Sequence, residues 1–293
     1  MDVTIFGIHL KINPVAFSIP LGNRHWDVYW YGIMIATGFL LAILYAMKNA
    51  KRFELDFDKI IDVIIVTVPV AILCARAYYV IFDGEKLGSI KEFFGLGSSS
   101  GFSGLAIYGG VIGAFVCGGI MCKIRKVKIL DMFDLTAIGF IIGQAIGRWG
   151  NFFNQEAYGT FTGSSFFGME STRTIAEMGE GLVHPCFLYE SIWCLIGFFV
   201  LNHFSKKRQY SGQILLMYFT WYGFERGFIE LIRTDSLMLG NLRVSSLLSF
   251  IICIGSVIAM VLIRNKVIAN KPSEYTKVFD YDETTEDENG EDN

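Results

Sequence analysis

Apolar residues in this chain gather into runs long enough to cross a bilayer, which takes about 20 mostly apolar residues per helix. Such runs lie near 28–47, 60–82, 105–122, 132–148, 187–204, 213–232 and 244–263. The pattern predicts seven transmembrane helices. The fourth run is short, the second contains Asp62 and Arg76, and the seventh is free of charge from Val244 to Ile263. Two polar connections stand out. Residues 83–104 hold Gly95, Gly97, Ser98, Ser99, Ser100 and Gly101 and read as flexible, while 149–185 is the longest connection and rich in glycine. Connections of that length are usually functional or disordered. The expectation is an all-α polytopic membrane protein with a small extracytoplasmic cap.

The Lys and Arg residues between the runs give an orientation, because cytoplasmic loops carry the excess of them. The segments 48–59, 123–131, 206–208 and 264–277 together hold fifteen, including Lys51, Arg125, Lys207 and Arg264. The alternate segments hold seven: Lys11, Arg24, Lys86, Lys91, Arg173, Arg233 and Arg243. The N-terminus is therefore expected outside and the C-terminus in the cytoplasm. No positive segment followed by an apolar core opens the chain, so no cleavable signal peptide is expected.

Composition agrees with a membrane protein: 53% hydrophobic and 18% charged residues over 293 positions, against about 25% charged in soluble domains. The net charge of −3 hides an asymmetry. Nine acidic residues and one basic, Lys277, fall between Pro272 and Asn293. That block reads as a solvated, disordered cytoplasmic tail behind a membrane domain spanning 1–271. No basic stripe suggests nucleic acid. The six cysteines include no C-x-x-C pair and the four histidines no H-x-x-x-H spacing, so neither a metal nor a cofactor is expected.

Three arginines fall within runs: Arg76, Arg148 and Arg226. An ionisable group there costs about 2.5–3.5 kcal/mol on insertion scales and marks a candidate functional site, although a snorkelling or structurally paired arginine is the plainer alternative for each. All three fall in the outer half of their runs. Tyr222, Arg226 and Glu230 are spaced i, i+4, i+8, with Arg233 seven beyond Arg226, so the four share one helix face. Facing lipid it would be prohibitive, so it faces protein or water. Glu230 is placed either to neutralise Arg226 or to take part in chemistry. Residues 147–159, GRWGNFFNQEAYG, add a planar guanidinium in Arg148, the donors Asn151, Asn154 and Gln155, Glu156, and glycines that let backbone approach a ligand. This chemistry describes an anion site at a membrane surface without naming the anion.

That segment resembles the signature G-R-x-G-N-F-x-N-x-E-x-x-G of the bacterial prolipoprotein diacylglyceryl transferases. The resemblance continues at Tyr31-Gly32, Tyr108-Gly109-Gly110, His184-Pro185 with Leu188-Tyr189-Glu190, and the Tyr222–Arg226–Glu230–Arg233 stripe. It covers all but the acidic tail. It implies transfer of the diacylglyceryl group of phosphatidylglycerol to the lipobox cysteine of prolipoprotein signal peptides in the cytoplasmic membrane, at a site towards the outer leaflet. It also implies catalytic roles for Arg148, Arg226, Tyr108 and Tyr31, and lipid contacts by Arg148, Asn151, Asn154, Glu156, Gly159, Tyr222, Glu230 and His184. Many members have His-Gly-Gly where this chain has Tyr108-Gly109-Gly110, and Cys186-Phe187 stand where a small hydroxyl residue and Gln are frequent. Asp134, about 21 Å from Arg148 along a continuous helix, reads as a structural helix-end residue. The competing reading is a transporter or channel for an organic anion lined by the arginines, which would need polar residues continuing to the cytoplasmic side and gains nothing from the absence of a visible repeat.

Overall fold

The computed structural model describes residues 1–21, 24–82, 93, 104, 106–234, 238–239 and 242–270. Most of the flexible connection predicted over 83–104 and the acidic tail from 272 lie outside the described residues. The described chain forms two compact units, one built from 1–52 and 133 onward, the other from Phe53–Met132.

The molecule is mostly helical. Helices α1 (Trp30–Asn49), α2 (Phe57–Phe82), α3 (Ile107–Ile124), α4 (Ile129–Asn154), the short α5 (Thr172–Met178), α6 (Cys186–Ser205), α7 (Gln213–Ile232) and α8 (Val244–Asn270) follow one another. Six of them, α1, α2, α3, α4, α6 and α8, are long and apolar enough to cross a membrane. α7 has the length, but Glu225, Arg226 and Glu230 give it more charge than composition alone would assign to a span. α4 extends beyond the predicted 132–148 at both ends: the signature residues through Asn154 are its last two turns, because polar side chains on one face do not interrupt a backbone ladder.

The hydrophobic pattern predicts no element before residue 28, yet four strands lie there: β1 (Asp2–Ile5), β2 (Ile8–Lys11), β3 (Val15–Leu21) and β4 (Arg24–Tyr29). They are short, and β2 is exposed along its whole length, so no period-2 alternation marks it. β1 and β2 join through Phe6 and Gly7, both at positive φ (47° and 76°), as in a two-residue type I′ hairpin. β1 also pairs with β5 (Met169–Ser171), giving the order β2-β1-β5. Ser171 then caps α5 through a reciprocal capping box with Thr174. Val3, Ile12, Phe152, Tyr158, Met169, Val183 and Phe187 form the core beneath this sheet. The short strands β6 (Met238–Leu239) and β7 (Leu242–Arg243) lead into α8.

Three helix seams position the site. α1 meets α4 along glycines: a Cβ on Gly38 would lie 3.0 Å from Gly143 Cα, and one on Gly150 would lie 2.5 Å from the Tyr31 ring. Small residues permit this backbone approach. α6 and α7 are joined by stacked Trp193 and Trp221, 4.5 Å between ring centroids, each indole N–H donating to the other's backbone carbonyl at 3.1 Å. α7 meets α8 at Gly227, whose carbonyl accepts from Ser246 Oγ at 2.8 Å.

At the start of α7, the fully buried Asp134 accepts from Arg208 Nη1, Gly212 N and Leu215 N, each at 2.8 Å. One carboxylate thereby neutralises a buried arginine and caps a helix whose first N–H groups have no intrahelical acceptor. This is the structural part expected of Asp134.

In the Phe53–Met132 unit, α3 packs on α2 through Gly109 and Gly113 against Cys74. Arg76 is buried there. Its Nε donates to Phe93 O and its Nη1 to Gly104 O, both at 3.2 Å, and its guanidinium lies over the Tyr79 ring. All six cysteines are free thiols, and Cys122, Cys186, Cys194 and Cys253 are buried.

Candidate active site

The site is built where α4 ends, α6 begins and α7 ends. Arg148 belongs to α4, Glu190 to the first turns of α6, and Arg226, Glu230 and Arg233 to the last turns of α7 and its cap. Glu190 is the hub. Its buried carboxylate pairs with Arg148, with Arg226 at 3.6 Å and with Arg233 at 3.5 Å. Contact with three guanidiniums at once is ionic rather than a set of aligned hydrogen bonds. Glu230 Oε2 takes Arg226 Nη2 at 2.6 Å, so Glu230 does neutralise and orient Arg226 as its i, i+4 spacing allows. Arg243 donates to the backbone carbonyls of Glu230 and Arg233, closing the C-terminal end of α7.

The arginine side chains keep 10–19% of their surface. They are held by buried carboxylates and keep a small part of their surface accessible. Tyr222 adds an aromatic hydroxyl one turn before Arg226 and stacks on Tyr218, which donates to Gln144 Oε1 at 3.1 Å. Polar side chains thus continue from the arginines along α4 and α7.

The signature's asparagine amides donate to Glu156. Asn151 Nδ2 and Asn154 Nδ2 donate to Glu156 Oε1 at 3.0 and 3.2 Å. Glu156 is positioned by these amides and approached by Arg173 at 3.9 Å; the protein partner of Arg148 is Glu190 instead. The backbone turns sharply after α4, with Gln155 and Ala157 in the left-handed region (φ 52° and 57°). The buried Gln155 side chain holds the turn by accepting from Arg173 N at 3.1 Å. Asn151, Glu156, Tyr158, Arg173, Glu177 and Arg233 are among the residues lining a polar recess of about 250 Å³. Tyr31, Gly32 and Asn154 border a second, mostly apolar recess of about 540 Å³ with Trp26 and Tyr29 of β4.

Gly159 and His184 serve the frame. Gly159 N donates to His184 O at 2.9 Å, and Gly159 bridges to Arg233. A Cβ at Gly159 would lie 2.8 Å from His184 Cβ and 3.0 Å from Ile232 O, so only glycine fits between α7 and this loop. His184 Nδ1 faces Tyr189 Oη at 3.2 Å. Tyr108 stands in the first turn of α3, in the Phe53–Met132 unit, half-exposed beside Tyr78.

In the recess, Arg173 Nε donates to Glu177 Oε1 at 2.7 Å, and Tyr158 also donates to Glu177. The Arg173 bond, then the Tyr158 bond, hold the Glu177 carboxyl below its ordinary range. The same bond to Glu177 raises the Arg173 guanidinium above its ordinary value.

Sequence reasoning gives no role to Glu190 and does not single out Glu225. Both are acidic residues inside apolar runs, the signal by which Arg148 and Arg226 are found.

Fold and site together define a polytopic helical membrane protein with a buried arginine–carboxylate cluster. The family model described as prolipoprotein diacylglyceryl transferase matches residues 14–262. Proteins named phosphatidylglycerol–prolipoprotein diacylglyceryl transferase are similar over most of their length. Those of Clostridioides difficile (strain 630) and Clostridium novyi (strain NT) are each 42% identical, over 82% and 89% of this chain and 92% and 98% of the relative. That of Listeria innocua serovar 6a is 38% identical over 89% of this chain and 92% of its own. The chain belongs to the prolipoprotein diacylglyceryl transferase family.

Proposed function

We propose that this protein transfers the sn-1,2-diacylglyceryl group of phosphatidylglycerol to the lipobox cysteine thiol of a prolipoprotein, releasing glycerol phosphate. The observation that carries the reading is the convergence of Arg148, Arg226 and Arg233 on Glu190 in a chain of this family. Sulfur attacks the glyceryl carbon, the C–S bond forms, and the C–O bond to phosphate breaks with its electrons left on the phosphate. Arg148 and Arg226 stabilise that second negative charge, which a dry site makes effective. Glu190 and Glu230 hold the guanidiniums ready, so little reorganisation accompanies the step. Asn151 and Glu156 present polar groups to the glycerol headgroup from the recess, Asn154 steadies Glu156, and Tyr31 and Tyr222 line the lipid's approach.

In this reading α7 is the seventh span, its charges turned towards α4 and α6. The strands with α5 form an outer cap, the N-terminus is outside, the C-terminus is cytoplasmic, and the site faces the outer leaflet of the bacterial cytoplasmic membrane. Tyr108 orients substrate by hydrogen bonding and carries no obligatory proton; turnover that is reduced but persists in Tyr108→Phe is the outcome this predicts. The anion-conduit alternative loses one of its three arginines, since Arg76 is engaged by the backbone carbonyls of Phe93 and Gly104.

The test is glycerol phosphate release by purified protein in phosphatidylglycerol vesicles with a lipobox peptide. Release that requires Arg148, by Arg148→Ala, and the thiol, by a Cys→Ser peptide, supports the transferase. Release independent of the peptide thiol, or none from folded protein, would overturn it.

A further inference from the structure

The transfer leaves a proton to be placed. The thiol gives one up as sulfur becomes a thioether, and Arg148, Arg226 and Arg233 cannot receive it because guanidinium stays protonated. Glu190 and Glu230 are both ion-paired to arginine. The cluster contains one further carboxylate.

Glu225 lies on α7 immediately before Arg226 and is buried, with 6% of its surface exposed. Neither of its oxygens meets a hydrogen-bond donor among the described residues. Its location follows from the tryptophan clasp. Glu225 is one turn past Trp221 on α7, and Glu190 is three residues before Trp193 on α6; the stacked indoles bring the two carboxylates to the same end of the α6–α7 seam. The charged groups acting on Glu225 are Glu190 from α6, Arg148 from α4, and Arg226 and Arg233 from α7. The Cys194 thiol of α6 and the Tyr222 hydroxyl of α7 also feel its charge. α8 carries no charged residue before Arg264.

A buried carboxylate without a donor is costly in its ionised form, and the arginines around Glu225 offset part of that cost. We propose that Glu225 accepts the proton of the lipobox thiol during transfer. This rests on the transferase reading above. The charges balance: the C–S bond forms, the glyceryl C–O bond breaks, the phosphate passes from one negative charge to two, and the thiol proton becomes the carboxylic proton of Glu225. Neutralising Glu225 removes a negative charge from around Arg148 and Arg226 as the leaving phosphate gains one. Their field passes from protein carboxylate to leaving group without movement of the guanidiniums. The proton leaves with the product or to water before the next turnover.

The experiment compares wild-type protein with Glu225→Gln, in phosphatidylglycerol vesicles, on a lipobox peptide and on the same peptide with selenocysteine for cysteine. A selenol is ionised at neutral pH and needs no proton acceptor. General-base groups contribute roughly 10²–10⁴ in rate, so Glu225→Gln should lose about a hundredfold in kcat on the cysteine peptide with KM for lipid little changed. The selenocysteine peptide should restore most of the loss. The variant's rate on the cysteine peptide should also rise with pH until the thiol ionises unaided, near ~8.5, whereas the wild-type rate levels off earlier. Unchanged kcat in Glu225→Gln, or equal losses on both peptides, would overturn the proposal while leaving the transferase intact. Absence of turnover in wild type would overturn both. Should Glu225→Gln fail to accumulate, Glu225→Asp decides: a retained carboxylate should preserve the wild-type pH profile at reduced kcat, and a profile shifted to thiol ionisation would refute the assignment.

Discussion

Glu190→Gln is the most direct probe of how the arginines are held. The amide keeps the shape of the side chain and removes the one charge shared by Arg148, Arg226 and Arg233. Removing one partner of a buried ion pair costs about 3–5 kcal/mol. The lower end applies here, because Arg226 keeps Glu230 at 2.6 Å and the three guanidiniums retain 10–19% of their surface for water. The expected loss is about 3 kcal/mol, around two orders of magnitude in the folding equilibrium at 1.4 kcal/mol per decade. A second effect has the opposite sign. With one negative charge fewer, the cluster attracts an anion more strongly, so phosphatidylglycerol should restore more stability to the variant than it adds to wild type. Denaturant unfolding in neutral detergent, with and without added phosphatidylglycerol and followed by tryptophan emission, measures both. A variant within 1 kcal/mol of wild type, or one that gains no more than wild type from the lipid, would refute the hub role of Glu190.

Three further outcomes are expected. Asp134→Ala should destabilise the fold by about 3–5 kcal/mol, because it removes the carboxylate that neutralises Arg208 and accepts from two backbone N–H groups at the start of α7; turnover per folded molecule should be unchanged, checked by titrating active sites after thermal challenge. Gly150→Ala places a methyl 2.5 Å from the Tyr31 ring and should cost about 1–3 kcal/mol by overpacking, visible as a lower midpoint in thermal unfolding, whereas Gly143→Ala meets nothing within 4 Å and should not. Glu177, held below its ordinary range by Arg173 and Tyr158, contributes stability that is present above the unfolded carboxyl value and lost as pH falls through the lower folded one. Local protection of α5 in hydrogen exchange should therefore drop in acid, and Glu177→Gln should abolish that dependence.

Much of the helical frame is legible in the sequence, because apolar runs of about 20 residues have few other uses. The run at 213–232 coincides with α7, and the run at 187–204 differs from α6 by one residue at each end. Less legible is where a helix ends when its last turns are polar: Arg148, Asn151 and Asn154 belong to α4, and their spacing of three puts them on successive turns of it. The opening strands escape notice because they are short and partly exposed, so neither alternation nor an apolar run marks them. At the site, Arg148, Arg226 and Glu230 are found as charges out of place in apolar runs. Their connection through Glu190 is not, since it joins residues 42 and 36 positions away on either side that only helix packing brings together. Glu225 is hidden by its neighbour: an i, i+4 stripe through Arg226 steps over the residue beside it.

The buried charges of α7 also bear on how the protein is made. Entering a bilayer alone, a helix carrying Glu225, Arg226 and Glu230 would face roughly 8–10 kcal/mol for those three side chains on insertion scales. In the folded protein Arg226 finds Glu190 on α6, and the N-terminal amides of α7 find Asp134 on α4. Both helices precede α7 in the chain, so its partners have already emerged from the ribosome when it arrives. With α7 as the seventh span proposed above, it would enter the membrane against a pair of helices already there, and a ribosome stalled just after α7 should yield inserted helix only when α4 and α6 are intact.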